Sequence, residues 1–225
     1  MELNDTTINI LKNYATINPN IVINEGNQLK TISTARNVLS TSEVNVEFPQ
    51  TFGIYDLNEF LNVLSLVDEP RLRFEKEYVV VGDATGRSSV KYFFSDPEML
   101  TSPANTINMP EAEVKFTLDS DTLKKVKRAA AALGHDEISI TPVTGAIRLS
   151  VLDSKDATSN NYSIDVEGDY PDVKFQFILN VGNLKVVNED FEVGISSKLI
   201  SKFTSKQSTT EYYIALEKSS TYGEA

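Results

Sequence analysis

The chain has 225 residues, 40% of them hydrophobic, with no cysteine, a single histidine (His135) and a formal net charge of −11. Without cysteine there are no disulfides, thiolate nucleophiles or cysteine metal sites, and one histidine excludes any centre within a subunit that needs two imidazoles. The acidic balance argues against gripping nucleic acid by bulk electrostatics, since Lys and Arg drive phosphate binding by releasing counterions, and no apolar run approaches the ~18–20 residues of a membrane span.

In chain order, Ile10, Leu11, Tyr14 and Ile17 recur at helical spacing and predict a helix over 7–17, which Pro19 stops. Strands are predicted at 21–23, 29–33 and 44–48, separated by Gly26 and by turns bearing Asn and Ser. A second helix is predicted over 56–66, with Asp56 as cap and Leu57, Phe60, Leu61 and Leu64 at three- and four-residue spacing. Strands follow at 71–74, 78–81 and 90–94. The pattern then lapses through Asp96-Pro97, Ser102-Pro103 and Met109-Pro110, which reads as an extended linker over about 95–112. An N-terminal domain of residues 1–110 and a C-terminal domain of residues 111–225 are expected on its two sides.

The order then begins again, with a strand at 114–118, a helix over 121–133 ended by Gly134, and strands at 138–141, 147–152 and 162–166. Residues 175–179 lead into a short helical stretch carrying Val181 and Leu184, followed by strands at 191–195, 199–203 and 212–216. A unit of helix, strands, helix and strands used twice implies an α+β fold whose helices share one face of curved sheets. A single α+β domain with a long loop is the counter-reading. With no basic-then-apolar secretory start, a soluble, cytoplasmic protein is expected.

Several patches carry a resemblance. They are Asp5-Thr6-Thr7, Leu11-Lys12-Asn13 and Ala15-Thr16-Ile17-Asn18, then Ile54-Tyr55-Asp56-Leu57-Asn58, Phe60-Leu61 and Leu64-Ser65-Leu66-Val67. In the second half, residues 138–141, Gly168-Asp169-Tyr170, Phe175, Phe177, Ile178, Asn180, Asn183, Lys185 and Ala215-Leu216-Glu217 continue the series. In this order the chain resembles the DNA sliding clamps of T-even-type bacteriophages, with departures concentrated in 28–48 and 71–107.

The resemblance implies a DNA clamp fold with two duplicated domains, each placing two helices inside and sheets outside. It also implies a homotrimeric ring around duplex DNA, opened by an ATP-dependent clamp loader. A DNA polymerase would dock its tail in an apolar pocket near the linker and gain processivity. Such a protein is a DNA polymerase accessory factor, needs no cofactor or metal and is not an enzyme. It would sit in the host cytoplasm if a phage encodes it.

On the helix over 121–133, Leu123, Val126, Ala130 and Leu133 form the expected buried stripe, and Lys124, Lys125 and Arg128 fall opposite, beside Ala131 and Ala132. Such a face can meet phosphates without base readout; an ordinary solvated face is the alternative. Lys12 and Lys185 would join this lining under the duplicated architecture, whereas the second helix supplies Asp56 and Glu59. A ring linked topologically to DNA needs little energy per phosphate, which reconciles the acidic chain with a DNA partner.

Strand edges that could meet across subunits are 90–94, with Val90, Tyr92 and Phe94, and 162–166, with Tyr162 and Ile164; either could instead be interior. For the partner pocket the candidates are Leu100, Met109, Tyr213, Ile214 and Leu216, which core packing would explain equally well. Asp165, Glu167 and Asp169 alternate as an acid–base or metal set would, and also as solvent-facing strand positions do. Gly82–Ser88 resembles a phosphate loop but lies between strands, as a hairpin does. His135, just past a helix end, reads as a capping or surface residue. The rival functions are a trimeric structural virion protein and a carboxylate hydrolase.

Overall fold

The computed structural model describes residues 1–103, 107–156 and 158–223, so residues 104–106 of the expected linker lie outside the described residues. The chain divides into two units, Met1–Thr106 and Ile107–Ala225.

In the first unit, α1 (Asp5–Ile17) starts at Asn4, whose side chain accepts from the Thr7 N–H and so satisfies one of the helix's unpaired donors. It buries Thr7, Ile10, Leu11, Tyr14 and Ile17. The short strand β1 (Ile21–Ile23) is followed by the hairpin of β2 (Gly26–Ile32) and β3 (Val38–Phe48), and then by β4 (Phe52–Ile54), which pairs antiparallel with β1. Tyr14 anchors α1 on the hairpin: its hydroxyl donates to the Leu29 carbonyl at 3.5 Å and accepts from the Ser40 hydroxyl at 3.2 Å. Next, α2 (Leu57–Ser65) is capped by Asp56, which accepts from the N–H groups of Asn58 and Glu59, and it buries Leu57, Phe60 and Leu64. The strands β5 (Arg71–Phe74), β6 (Tyr78–Gly82) and β7 (Ser89–Phe93) form an antiparallel meander with β7 at its edge.

The second unit opens with β8 (Val114–Leu118) and α3 (Ser120–Leu133), followed by β9 (Glu137–Val143), β10 (Ala146–Leu152), β11 (Tyr162–Val166) and β12 (Gly168–Asp169). After β13 (Phe175–Asn180) come β14 (Phe191–Ser196), β15 (Ile200–Ser205), β16 (Glu211–Ala215) and β17 (Thr221–Tyr222). Antiparallel pairing orders one set of strands β12-β8-β14-β15-β16 and the other β11-β10-β9-β13-β17. Phe116, Leu118, Leu123, Val126, Ile140 and Phe203 lie in the core that α3 covers. Full burial of each large side chain contributes roughly 1.5–3 kcal/mol.

Gly168 is where the chain leaves one sheet for the other. Val166 pairs with Ile147, and two residues later Gly168 pairs with Phe116. A Cβ at Gly168 would stand 2.5 Å from the Lys115 carbonyl oxygen and 2.7 Å from the Phe116 Cβ, so only glycine permits this crossing.

The expected short helical stretch is present as a 3₁₀ helix and not as a fourth α-helix. A single 3₁₀ turn, Val181–Asn183, follows β13, and Lys185 lies beyond it in an irregular segment, its N–H donating to the Asn183 carbonyl. The cause is local: the Asn180 side chain accepts from the Gly182 N–H and closes a tight turn. Gly182 and the β-branched Val186 and Val187 also disfavour continuation. The segment is held instead by the Val187 N–H donating to the Tyr212 hydroxyl and by Lys127 Nζ donating to the Val186 carbonyl. Leu133, expected in the buried stripe of α3, is only half-buried at the helix end.

Candidate functional site

The cationic face begins with how α3 is built. Asp119 caps it, accepting from the Thr122 N–H at 2.7 Å and from the Thr122 hydroxyl at 2.9 Å. Gly134 closes it in the left-handed conformation (φ 69°). With Thr122, Leu123, Val126 and Ala130 buried, Lys124, Lys125, Arg128, Ala131 and Ala132 are left exposed together. Lys124 sits 3.6 Å from Asp121 in an exposed pair, which solvent screens and which leaves the cation available. Lys127 lies on the flank, where burial lowers its pKa. The carbonyl it binds belongs to Val186, so exposed Lys185 follows α3 closely although it is not on a helix.

The first unit differs. Lys12 is exposed on α1 together with Asp5, Asn9 and Thr16, and α2 exposes Asn58, Glu59 and Asn62.

Both strands singled out for their edges are edge strands, β7 in its meander and β11 in its sheet. The side chains named on β7 nevertheless turn inward. The Tyr92 ring packs on Phe60 at 5.2 Å, its hydroxyl donates to the Asp56 carbonyl, and burial, with Glu59 and Asp56 adding to it, pushes its pKa up to about 12. Phe94, just past the strand, packs on Phe52 at 4.7 Å. Val90 alternates with them and is half-buried. The outward positions are Lys91 and Phe93; Phe93 is 62% exposed, and Lys91 Nζ lies 4.0 Å from the Tyr78 ring centroid. Alternation along 89–93 fits either parity, and only the packing of Tyr92 on Phe60 decides which side faces outward. On β11, Tyr162 and Ile164 are half-buried, and Ser163 and Asp165 are exposed.

The pocket residues separate. Ile214 is fully buried and Leu216 is 6% exposed, so both belong to the core rather than to a surface pocket. Just before Ile214 on the strand, Tyr213 faces the other way, its hydroxyl donating to Glu211 at 3.0 Å and its ring beside Lys202. Met109 borders an open cavity of about 760 Å³ lined also by Lys115, Asp169, Glu192 and Lys202. Nearby, Glu113 accepts from the Ser197 N–H at 2.8 Å and from the Ser197 hydroxyl at 2.6 Å, fastening the segment before β8 to the β14–β15 turn. Leu100 belongs to the first unit, packed close to Gly53.

The carboxylate set does not converge. Asp165 is held by Arg148 in a two-pronged pair at 2.7 and 2.9 Å, which keeps its pKa low, while Asp169 is on β12, in the other sheet. No cluster of metal-ligating side chains occurs among the described residues. The loop after Gly82 is a hairpin tip in which Asp83 accepts from the N–H groups of Arg87 and Ser88. His135 Nε2 lies 2.7 Å from the Asn160 carbonyl, tying the β10–β11 loop to the end of α3. Exposed Tyr55, Leu66 and Met99 went unpredicted; at element ends no periodicity marks them.

Residues 4–81 match the DNA polymerase processivity factor family and residues 115–218 match the gp45 sliding clamp, C terminal family. The chain is 33% identical to the sliding clamp of Vibrio phage KVP40, covering 96% of this chain and 99% of that one. It is 30% identical to the sliding clamp of Enterobacteria phage T4, over 99% of both chains. Among solved structures, the proliferating cellular nuclear antigen of Entamoeba histolytica superposes with a TM-score of 0.67 at 12% identity, over 93% of this chain and 94% of that one. The PCNA2–PCNA3 complex of Sulfolobus tokodaii gives a TM-score of 0.68 at 17% identity, over 95% and 96%. Those structures share its fold, the duplicated two-domain clamp, and with sliding clamps matched along nearly its whole length the chain belongs to the sliding clamp family of DNA polymerase processivity factors.

Proposed function

We propose that three copies of this chain close into a ring around duplex DNA and tether the replicative polymerase to its template. The observation that carries this reading is the exposed face of α3, where Lys124, Lys125 and Arg128 stand beside Ala131 and Ala132. Cations there can meet phosphates while small neighbours allow close approach and read no sequence. Lys12 and Lys185 complete the DNA-facing set. The two units serve as the two clamp domains, joined through residues 95–112.

Ring closure uses the edges of β7 and β11, whose unpaired backbone groups need a partner. Tyr162 and Ile164 contribute on one side and outward Phe93 and Lys91 on the other. The polymerase tail docks beside Met109 and Tyr213, over the cavity of about 760 Å³. An ATP-dependent loader opens the ring, and the host cytoplasm is the site of action. The chain contributes no catalysis of its own, so replacing Asp165, Glu167 and Asp169 with Asn or Gln leaves polymerase stimulation intact.

Light scattering over a range of concentrations tests the assembly, with a mass of three chains expected; a stable single-chain mass removes the ring. The loaded clamp is then expected to stay on closed circular DNA at high salt and to leave once the circle is cut. Salt stripping from intact circles would count against topological linkage.

A further inference from the structure

The helical faces of the two units carry opposite charge. In the second unit α3 and the segment beside it expose Lys124, Lys125, Arg128 and Lys185, opposed by Asp121 and by Asp119 at the α3 cap. In the first, α1 and α2 expose Lys12 against Asp5 and Glu59, and the remaining exposed positions are uncharged Asn, Thr and Ser. Asp56 adds a further half-exposed carboxylate at the α2 cap. Counterion release needs cations, so the two faces cannot contribute equally to holding phosphates.

We infer that the hold on DNA is concentrated in the second unit, with Lys12 a lone cation in the first, and that the α2 face, through Glu59, acts as a releasing surface that weakens it. This rests on the ring reading above. Around a closed ring, attractive sectors then alternate with acidic and amide-bearing ones. The duplex is drawn toward α3 of any one subunit and repelled between them, which favours exchange from sector to sector over a fixed grip. The overall charge of −11 per chain is in keeping with a grip that is local rather than general.

Binding of a short linear duplex, which the ring can thread from its end, is followed by fluorescence anisotropy from low to high salt. Oligomeric mass is checked for every variant. In the triple variant Lys124→Ala, Lys125→Ala, Arg128→Ala the slope of log K against log salt is expected to shrink by ~0.9 for each phosphate no longer neutralised. Glu59→Gln is expected to tighten binding at low salt several-fold while leaving the slope as in the wild type, because it removes a repulsion without adding a cation.

An unchanged slope in the α3 variant, or unchanged or weaker binding in Glu59→Gln, overturns the inference while leaving the ring intact. A wild-type protein that linearising the DNA does not release fails earlier and takes the ring reading with it. Wild-type retention on circles together with the two expected responses establishes the alternating lining.

Discussion

Gly168 and Asp119 show how much of the second unit depends on single atoms. A methyl group at Gly168 meets backbone on one side and the Phe116 side chain on the other, neither of which can swing away. Gly168→Ala is therefore expected to cost about 1–3 kcal/mol, seen as a lower melting temperature. Asp119 works through charge. The N–H of Thr122 holds its pKa below the ordinary carboxylate value, with slight burial opposing and the Thr122 hydroxyl reinforcing. A carboxyl whose pKa is lower folded than unfolded adds stability above its unfolded value, ~3.9, and loses it as pH falls through the folded one. Asp119→Asn keeps a capping oxygen but does not titrate, so its melting temperature should fall less steeply than the wild type's below pH ~4. Gly168 escapes a sequence reading because it sits in an unremarkable Glu-Gly-Asp stretch, and its need becomes visible only when β8 lies beneath it.

At the scale of elements, regular period was what the sequence disclosed. Helix α3 was readable to its face because Leu123, Val126 and Ala130 fall on one side with nothing to contradict them. The short helical stretch at Val181 and Leu184 was legible, but its length was not, because the turn-closing side chain of Asn180 holds it to a single 3₁₀ turn that stops before Lys185. Residues Ile214 and Leu216 stay open between core and pocket in the sequence because period-two apolar residues look alike whether they fill a core or line a groove; only their burial decides. The outward position of Phe93 on edge strand β7 leads to a prediction. Placing a charge there with Phe93→Asp should lower the solution mass toward a single chain at concentrations where the wild type is assembled. Tyr92→Phe, which keeps the ring packed on Phe60, should not.

For the whole molecule, composition spoke mainly by exclusion. No cysteine, one histidine and a charge of −11 removed thiol, multi-histidine and bulk-electrostatic mechanisms before any element was considered. Family membership was readable because short patches of ordinary residues recur in order along the chain. The lining, the edges and the partner pocket were not, because each depends on which side of an element faces outward. At this scale the topological prediction is the sharpest, since release on cutting a circle, with no change of salt, cannot come from affinity alone.

The fastening of Glu113 to Ser197 also has a mechanical meaning. Any load applied through residues 107–112 arrives at Glu113 before it reaches β8. There it meets two hydrogen bonds working in parallel, both from one residue of the β14–β15 turn. A strand loaded from its end can peel one backbone pair at a time, whereas this clasp must yield both bonds at once. It acts as a strain relief, as a clip does where a cable enters its housing.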